Sequence, residues 1–411
     1  MDMAVERAAD RHAVPEAASS VVQVLPALSG RRGRERDAVE IAAALVAAGR
    51  RAMIVSAGGP LVHALARVGA EHVALPTDRR NPLALFATAR RIADIVRTDR
   101  FDVVHAHDPM AAVGAWWAAR RTGCHFVTTV HEADRSRTLI DHRLRTVMAT
   151  GERVIAVSRF VATDLRRSYG VPETRVRVIP PGIDLDRFDP ARVTPDRLAA
   201  LASRWRLTDG VPMVMLVGGL VPHKGQTVLV DAVHRLGRRD IHCLLVGAEE
   251  SDPACRQALE TQIDGYGLGG VVRIVDHCDD MAAAYMLADI VVSASTAPEA
   301  FNRSLIEAQA IERPVIAADH GGAREIVAPG RTGWLIPAGD AAALSAAIET
   351  VLGLAPEERR RIVAAAAAEV RAGCSKAAMC QRTLATYDEL RCGTGDHPAP
   401  GRVGPEAPAS A

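Results

Sequence analysis

The chain has 411 residues, 48% of them hydrophobic and 24% charged, which suits two globular domains better than one oversized core. With 50 basic against 49 acidic side chains the formal net charge is +1, which excludes a surface that attracts polyanions over its whole extent. Aromatics are 3%, too few for the stacking platforms of single-strand binders, so no nucleic-acid partner is expected.

The seven cysteines form no C-x-x-C pair, and Cys243, Cys255 and Cys278 fall in apolar or helical stretches. That pattern fits reduced thiols in the cytoplasm, with no metal site. No run approaches the roughly 18 apolar residues that span a bilayer. The first apolar run, residues 21–28, lacks the basic start and cleavage site of a signal peptide and reads as a strand.

In chain order, residues 1–19 alternate charge, alanine and proline without a period and are expected to be a disordered leader. From residue 20 the rhythm is strand, helix, strand. The run 21–28 precedes a helix with Val39, Ile41, Ala42, Leu45 and Ala48 on one face, stopped at Gly49. Short apolar runs at 52–55, 73–75, 103–105, 126–130, 154–157 and 176–179 continue the series, as parallel strands covered on both faces should. Pro180-Pro181-Gly182 and the stretch to Pro190 break the rhythm and predict a linker.

A second series follows, with strands predicted at 213–217, 241–246, 271–275, 290–294 and 315–318, and helices at 340–352 and 357–371. The fold class is therefore α/β, two Rossmann-like doubly wound domains over 20–190 and 191–373 facing across a cleft. A helix at 374–392 is expected to pack back toward the first domain, and 393–411 to be a disordered tail.

Two stretches carry chemistry. Glu299-Ala300-Phe301-Asn302-Arg303-Ser304-Leu305-Ile306-Glu307 follows a strand and opens a helix, whose unpaired first amides suit a diphosphate. Glu299 is placed to accept from sugar hydroxyls and Glu307, two turns inward, from a ribose diol; a plain helix-start acid explains Glu299 equally well. Gly218-Gly219-Leu220-Val221-Pro222-His223-Lys224-Gly225 runs from strand to glycine turn to lysine before a helix. Glycines let backbone approach a phosphate and the ammonium supplies a point charge, although a turn with a solvated cation has the same appearance. Neither a Walker sequence nor a G-x-G-x-x-G after the first strand is present.

As an ordered set these motifs resemble the retaining glycosyltransferases of family 4, which have the GT-B fold. The likeness rests on Gly218 with Lys224-Gly225, the Glu299 to Glu307 stretch, Arg313-Pro314-Val315, Gly321-Gly322 with Glu325, and Gly330-Arg331-Thr332-Gly333. Earlier in the chain it rests on Gly33 with Glu35, His131, Val157-Ser158, and Val178-Ile179-Pro180 before Gly182. The resemblance implies an acceptor domain followed by a nucleotide-sugar donor domain, and transfer of a sugar without a metal or other cofactor. It implies that Lys224 neutralises the leaving diphosphate, that Glu299 holds the transferred sugar, and that His131 faces it. Gly33, Gly219, the backbone around Phe301, Asn302, Arg303, Ser304 and Leu305, and Glu307 on the ribose complete the implied donor site. The implied acceptor is a sugar or lipid-linked glycan precursor of the cell envelope.

Four departures stand out. Family members have arginine where this chain has Gly219, and losing one charge-assisted contact costs about 1.5–3 kcal/mol. His223 and Arg303 are the neighbouring cations that would compensate. Arg32 replaces one glycine of the first-loop pair, inside the run Arg31 to Arg34, which reads either as a solvated loop or as a cationic lip for an anionic acceptor. Glu132 follows His131 where glycine is common, and is expected to crowd the cleft with negative charge. Ala300 and Asn302 replace glycines, and asparagine tolerates a left-handed backbone. Competing readings are a non-catalytic nucleotide-sugar binder and a nucleotide-sugar epimerase. Arg31 to Arg36, and Arg135 with Arg137, are the candidates for a peripheral contact with an anionic membrane face.

Overall fold

The structure, a computed structural model, describes residues 19–30, 32–79, 81–134, 138–247 and 252–392. Residues 1–18 of the leader, the tail, and Arg31, Arg135 and Arg137 lie outside the described residues. The first sheet holds β1 (Val21–Val24), β2 (Ala52–Ser56), β3 (Glu71–Ala74), β4 (Val103–Ala106), β5 (His125–Val130), β6 (Arg153–Ala156) and β7 (Val176–Val178). The second holds β8 (Met213–Val217), β9 (His242–Val246), β10 (Val272–Val275), β11 (Ile290–Ser293), β12 (Val315–Ala318) and β13 (Trp334–Ile336). Their orders are β3-β2-β1-β4-β5-β6-β7 and β10-β9-β8-β11-β12-β13, and the paired strands are parallel.

In both sheets the strand order reverses at the middle, between β1 and β4 and between β8 and β11. Loops leaving such a pair part to opposite faces and open a crevice at the carboxyl ends of the strands. This is the GT-B architecture implied by the motifs. Alternate side chains of a central strand fill both layers: Met213 and Met215 join one core cluster, Val214 and Leu216 the other.

Most predicted strands begin and end within two residues of the observed ones, and two larger differences have a physical reason. β1 stops at Val24, because Pro26 has no N–H for the ladder; Leu25 and Leu28 stay buried in the loop that follows. β13 has three residues after Gly333, too short to signal itself by pattern, and it closes the edge beside β12.

The chain crosses between its halves at 182–183 and again at 374–376, and the crossings pair. Ile183 N donates to Cys374 O and Lys376 N to Ile183 O, both at 2.9 Å. Gly182 allows this approach, since a Cβ there would stand 2.6 Å from Lys376 Cα. The helix Lys376–Cys392 then lies on the first sheet's helix layer, with Met379, Cys380, Tyr387 and Leu390 among Leu45, Val103 and Ile155. Glu389 pairs with Arg153 at 2.9 Å and Arg177 at 2.5 Å, and Asp388 with Arg50 at 2.7 Å.

Tyr387 is wholly buried and donates or accepts at His105 Nδ1 over 2.7 Å. Tyr387→Ala is expected to cost about 3–5 kcal/mol in urea unfolding. A change below about 1 kcal/mol would mean that this helix is dispensable to the first core.

Candidate active site

At the second sheet's reversal, β8 ends in Gly218 at φ +151° and the short turn Pro222–Lys224, and Gly225 at φ +71° starts the helix Gln226–Leu236. A Cβ on Gly225 would run into the Ala294 carbonyl, so the loops after β8 and β11 touch here. The Lys224 stem crosses Gly218, where a Cβ would sit 3.5 Å from Lys224 Cε. Its Nζ reaches Glu299 Oε2 at 2.7 Å, and Ser295 Oγ donates to the other Glu299 oxygen. Behind them, Gly321 and Gly322 press on the Glu299 and Ala300 backbone, and Gly322 N donates to Glu299 O at 2.8 Å. Gln226 Nε2 donates to Gly219 O at 2.8 Å and holds the loop of the missing arginine.

Asn302 corrects one expectation. Its φ is −115°, extended rather than left-handed, and it is the N-cap of the helix Arg303–Ala310. Its Oδ1 accepts from Ser304 Oγ at 2.6 Å and Leu305 N at 3.4 Å, while Nδ2 donates to Ser293 Oγ at 2.7 Å. The cap leaves the Arg303 and Ser304 amides without an intrahelical acceptor, facing the crevice end. Leu305 is wholly buried, so its side chain belongs to the core. Phe301 packs between the halves, against a cluster of the first that includes Val157 and Val161 and against the core of the second. One turn on, Tyr285 donates to Glu307 Oε2 at 2.9 Å; burial pushes the Glu307 carboxyl above its usual range, and the Arg303 guanidinium pulls it back.

Arg303 is engaged elsewhere than at Gly219. Its Nη1 pairs with the buried Asp37 at 2.7 Å and Nη2 donates to Gly182 O at 2.7 Å. A Cβ on Gly33 would sit 2.8 Å from Arg303 Cδ, so the arginine lies across the first turn of the helix Gly33–Ala47. This contact joins the two halves at the hinge. A second joint is Glu325, which accepts from Arg159 N at 2.8 Å and Phe160 N at 2.7 Å at the start of the helix Arg159–Tyr169.

Of the first loop's cations, Arg34 is bound to Asp108 at 3.0 Å, both side chains 13% exposed, and Arg36 donates to Gly30 O at 3.2 Å. Arg32 is exposed and lines the crevice. Asp108 thus holds Arg34, while Arg32 and Arg36 remain exposed. Glu35 ties the loop shut by accepting from Ser29 Oγ at 2.8 Å and Gly30 N at 2.7 Å.

His131, half-buried after β5, ends a row of histidines whose other members, His105 and His107, are buried. His105 and His107, two apart on one strand face, have ring centroids 4.0 Å apart. Gln23 Nε2 donates to Ala38 O at 2.9 Å, so its Oε1 is the acceptor 2.9 Å from His107 Nε2, which must carry the proton. His107 Nδ1 then accepts, 3.5 Å from His131 Nε2. His131 accordingly keeps its proton on Nε2 and has a lone pair on Nδ1. Burial first, then His107, Arg34 and Arg303, hold His131 well below the usual imidazole range; burial and then Arg34 put His107 at about 3. Both rings are neutral hydrogen-bonding groups at pH 7.

Beside this row lies a cavity of about 520 Å³, lined by Arg32, His107, His131, Asp134, Arg145 and Tyr169 among others. Glu132 stands at its rim, 64% exposed and 3.9 Å from Arg145, so solvent and a cation carry its charge and it does not crowd the cleft. Asp37, Tyr285, Ser295 and the two histidines behind His131, His105 and His107, have no role in the sequence analysis. His105-Ala106-His107-Asp108-Pro109, a strand end with a helix cap, was the signal available for the last of these.

Residues 31–187 match the family model described as Glycosyltransferase Family 4, and residues 201–369 that of Glycosyl transferases group 1. A glycosyltransferase from Rickettsia africae is similar at 30% identity and a TM-score of 0.84, covering 92% of this chain and 100% of that one. The chain belongs to glycosyltransferase family 4. A D-inositol 3-phosphate glycosyltransferase of Geodermatophilus obscurus is 30% identical over 289 residues, 65% of this chain; the match spans 62% of the relative's length. Anabaena HepE in complex with UDP-glucose shares the fold, with a TM-score of 0.78 at 22% identity over 91% of this chain and 99% of that one.

For this family 4 chain the neutral histidines carry a pH signature. Below the ordinary value of 6.5 unfolded His107 takes a proton that the folded ring refuses until about 3, so stability falls with pH through that window. Melting curves between pH 7 and 4.5 are expected to fall, and His107→Asn to flatten the slope by up to about 1.4 kcal/mol per pH unit. An unchanged slope would mean that folded His107 is protonated.

Proposed function

We propose that the protein is a retaining, metal-independent glycosyltransferase that moves a sugar from a nucleotide-sugar donor to a sugar or lipid-linked acceptor. Its setting is cytoplasmic synthesis of a cell-envelope glycan or glycolipid. The observation that carries this reading is the Lys224–Glu299 contact of 2.7 Å beside the uncapped amides of Arg303 and Ser304.

As the bond between anomeric carbon and diphosphate breaks, negative charge grows on the leaving phosphate. An ammonium and oriented amides receive that charge without reorganising, the work that a divalent cation does elsewhere. Both Lys224 and Glu299 are partly exposed, so their ion pair is weak and yields to donor atoms. Lys224 then meets the diphosphate and Glu299 accepts from sugar hydroxyls. Tyr285 holds one oxygen of Glu307, which leaves the other for a ribose hydroxyl. Gly33 lets the first domain's helix start approach the phosphate. The acceptor enters through the cavity beside His131, whose Nδ1 lone pair accepts from a hydroxyl. Attack from the face that the diphosphate leaves retains configuration, with no protein nucleophile assigned.

Gly219 favours a second reading, a nucleotide-sugar binder without turnover, because the family's arginine is missing and Arg303 is held by Asp37. Purified protein with UDP-, GDP- and ADP-sugars is expected to hydrolyse one donor slowly, unaffected by EDTA, with Lys224→Ala and Glu299→Ala each slowing turnover at least about tenfold. Tight binding with no turnover under any acceptor would establish the binder instead, and an isomerised sugar still on its nucleotide would establish an epimerase. Gly219→Arg is expected to tighten nucleoside diphosphate binding roughly tenfold or more. No tightening would mean that position 219 does not face the diphosphate.

A further inference from the structure

The helices Pro82–Asp99 and Pro109–Thr122 pack side by side, close enough that a Cβ on Gly114 would stand 3.6 Å from Ile92 Cδ1. Their outer edge is unusual. Leu83 is 80% exposed and Phe86 53%. Phe86 meets the partly exposed Trp117 edge-on at 5.6 Å between ring centroids. Spacings of three and four put Leu83, Phe86 and Arg90 on one helical stripe.

Guanidinium groups sit over these rings, Arg90 over Phe86 at 6.0 Å, Arg120 over Trp116 at 5.2 Å and Arg121 over Trp117 at 5.9 Å. These three and Arg91 are exposed and make no ion pair or side-chain hydrogen bond among the described residues. Arg97 of the same helix pairs with Asp94, so among the described residues the arginines of these two helices without an ion pair are the four at the apolar edge.

Apolar side chains ringed by free cations lack two things at once, a nonpolar medium and counter-anions. An anionic bilayer supplies both at the correct depths. Leucine and aromatic rings enter the acyl boundary while arginine stems lie along the rings and their heads remain with lipid phosphates. We propose that this edge docks the protein peripherally on an anionic lipid surface. The surface is distinct from the first-loop arginines, which lie before and within the helix Gly33–Ala47. Trp117 is seven residues, about 10 Å, along its helix from Met110, which lines the cavity beside His131. Docking would bring a membrane-borne acceptor within reach of that cavity, but the binding itself does not depend on the donor reading.

The test is cosedimentation with vesicles of phosphatidylcholine and phosphatidylglycerol in a three-to-one ratio, against phosphatidylcholine alone. The intact protein is expected to pellet with the mixed vesicles and to be released by high salt. Leu83→Ser with Phe86→Ser, and separately Arg90→Glu with Arg121→Glu, are each expected to weaken binding by at least about tenfold, with melting temperature and nucleotide binding unchanged. No binding to mixed vesicles, equal binding to neutral ones, or wild-type binding by both variants would overturn the proposal. So would a dimer in size exclusion that Phe86→Ser dissolves, since the edge would then be covered by a second copy.

Discussion

The contact between Lys224 and Glu299 depends on how closely two loops approach at one strand pair. β8 and β11 are neighbours, and Gly225 lies against the Ala294 carbonyl because it has no side chain. The positive φ of Gly225 turns the chain so that Lys224 points back over Gly218. The glycine pair 321–322 braces the Glu299 loop from the opposite side. A Cβ at Gly225, Gly321 or Gly322 would run into backbone and displace the loops that carry the ammonium and the carboxylate. The chemistry proposed for the site is therefore a consequence of backbone packing, with the charged groups carried along.

The second constraint is that both halves must present their pieces to one space. Arg303 begins the helix whose amides face the crevice, yet its side chain belongs to the other half, on Asp37 and across Gly33. Glu325 does the same in reverse by capping a helix of the first half. Breaking such a partly buried pair leaves a charge without its partner in a poorly solvated place, so these joints define one arrangement of the crevice. Arg303, after burial, His107 and Arg34, also helps to hold His131 well below the usual imidazole range.

Much of this was legible in the sequence, for a physical reason. Strands buried on both faces are continuous apolar runs, so 213–217 and 315–318 coincide with β8 and β12. The apolar run 21–28 outlasts β1 because Leu25 and Leu28 stay buried beyond the strand's end. Local motifs, the lysine turn and the two glutamates, identified the crevice wall of the second half. What lay hidden were contacts between distant residues. Arg303 and Asp37 are 266 positions apart, and nothing local distinguishes Asp37 from a surface acid. Asn302 misled because its composition fits two roles, and only the neighbouring Ser293 and Ser304 hydroxyls decide for the cap.

The departures from the family pattern now have different weights. Glu132 is solvated at a rim, and Asn302 strengthens the helix start, so neither damages the crevice. Gly219 is the one that removes a charge, and under the proposed function Lys224 and the helix amides alone would hold the diphosphate. Titration calorimetry comparing nucleoside diphosphates with the corresponding monophosphates tests that claim most directly. The account expects one UDP, GDP or ADP species to bind at one site and at least about tenfold more tightly than its monophosphate. Equal affinity for both, or no affinity for any of them, would contradict it.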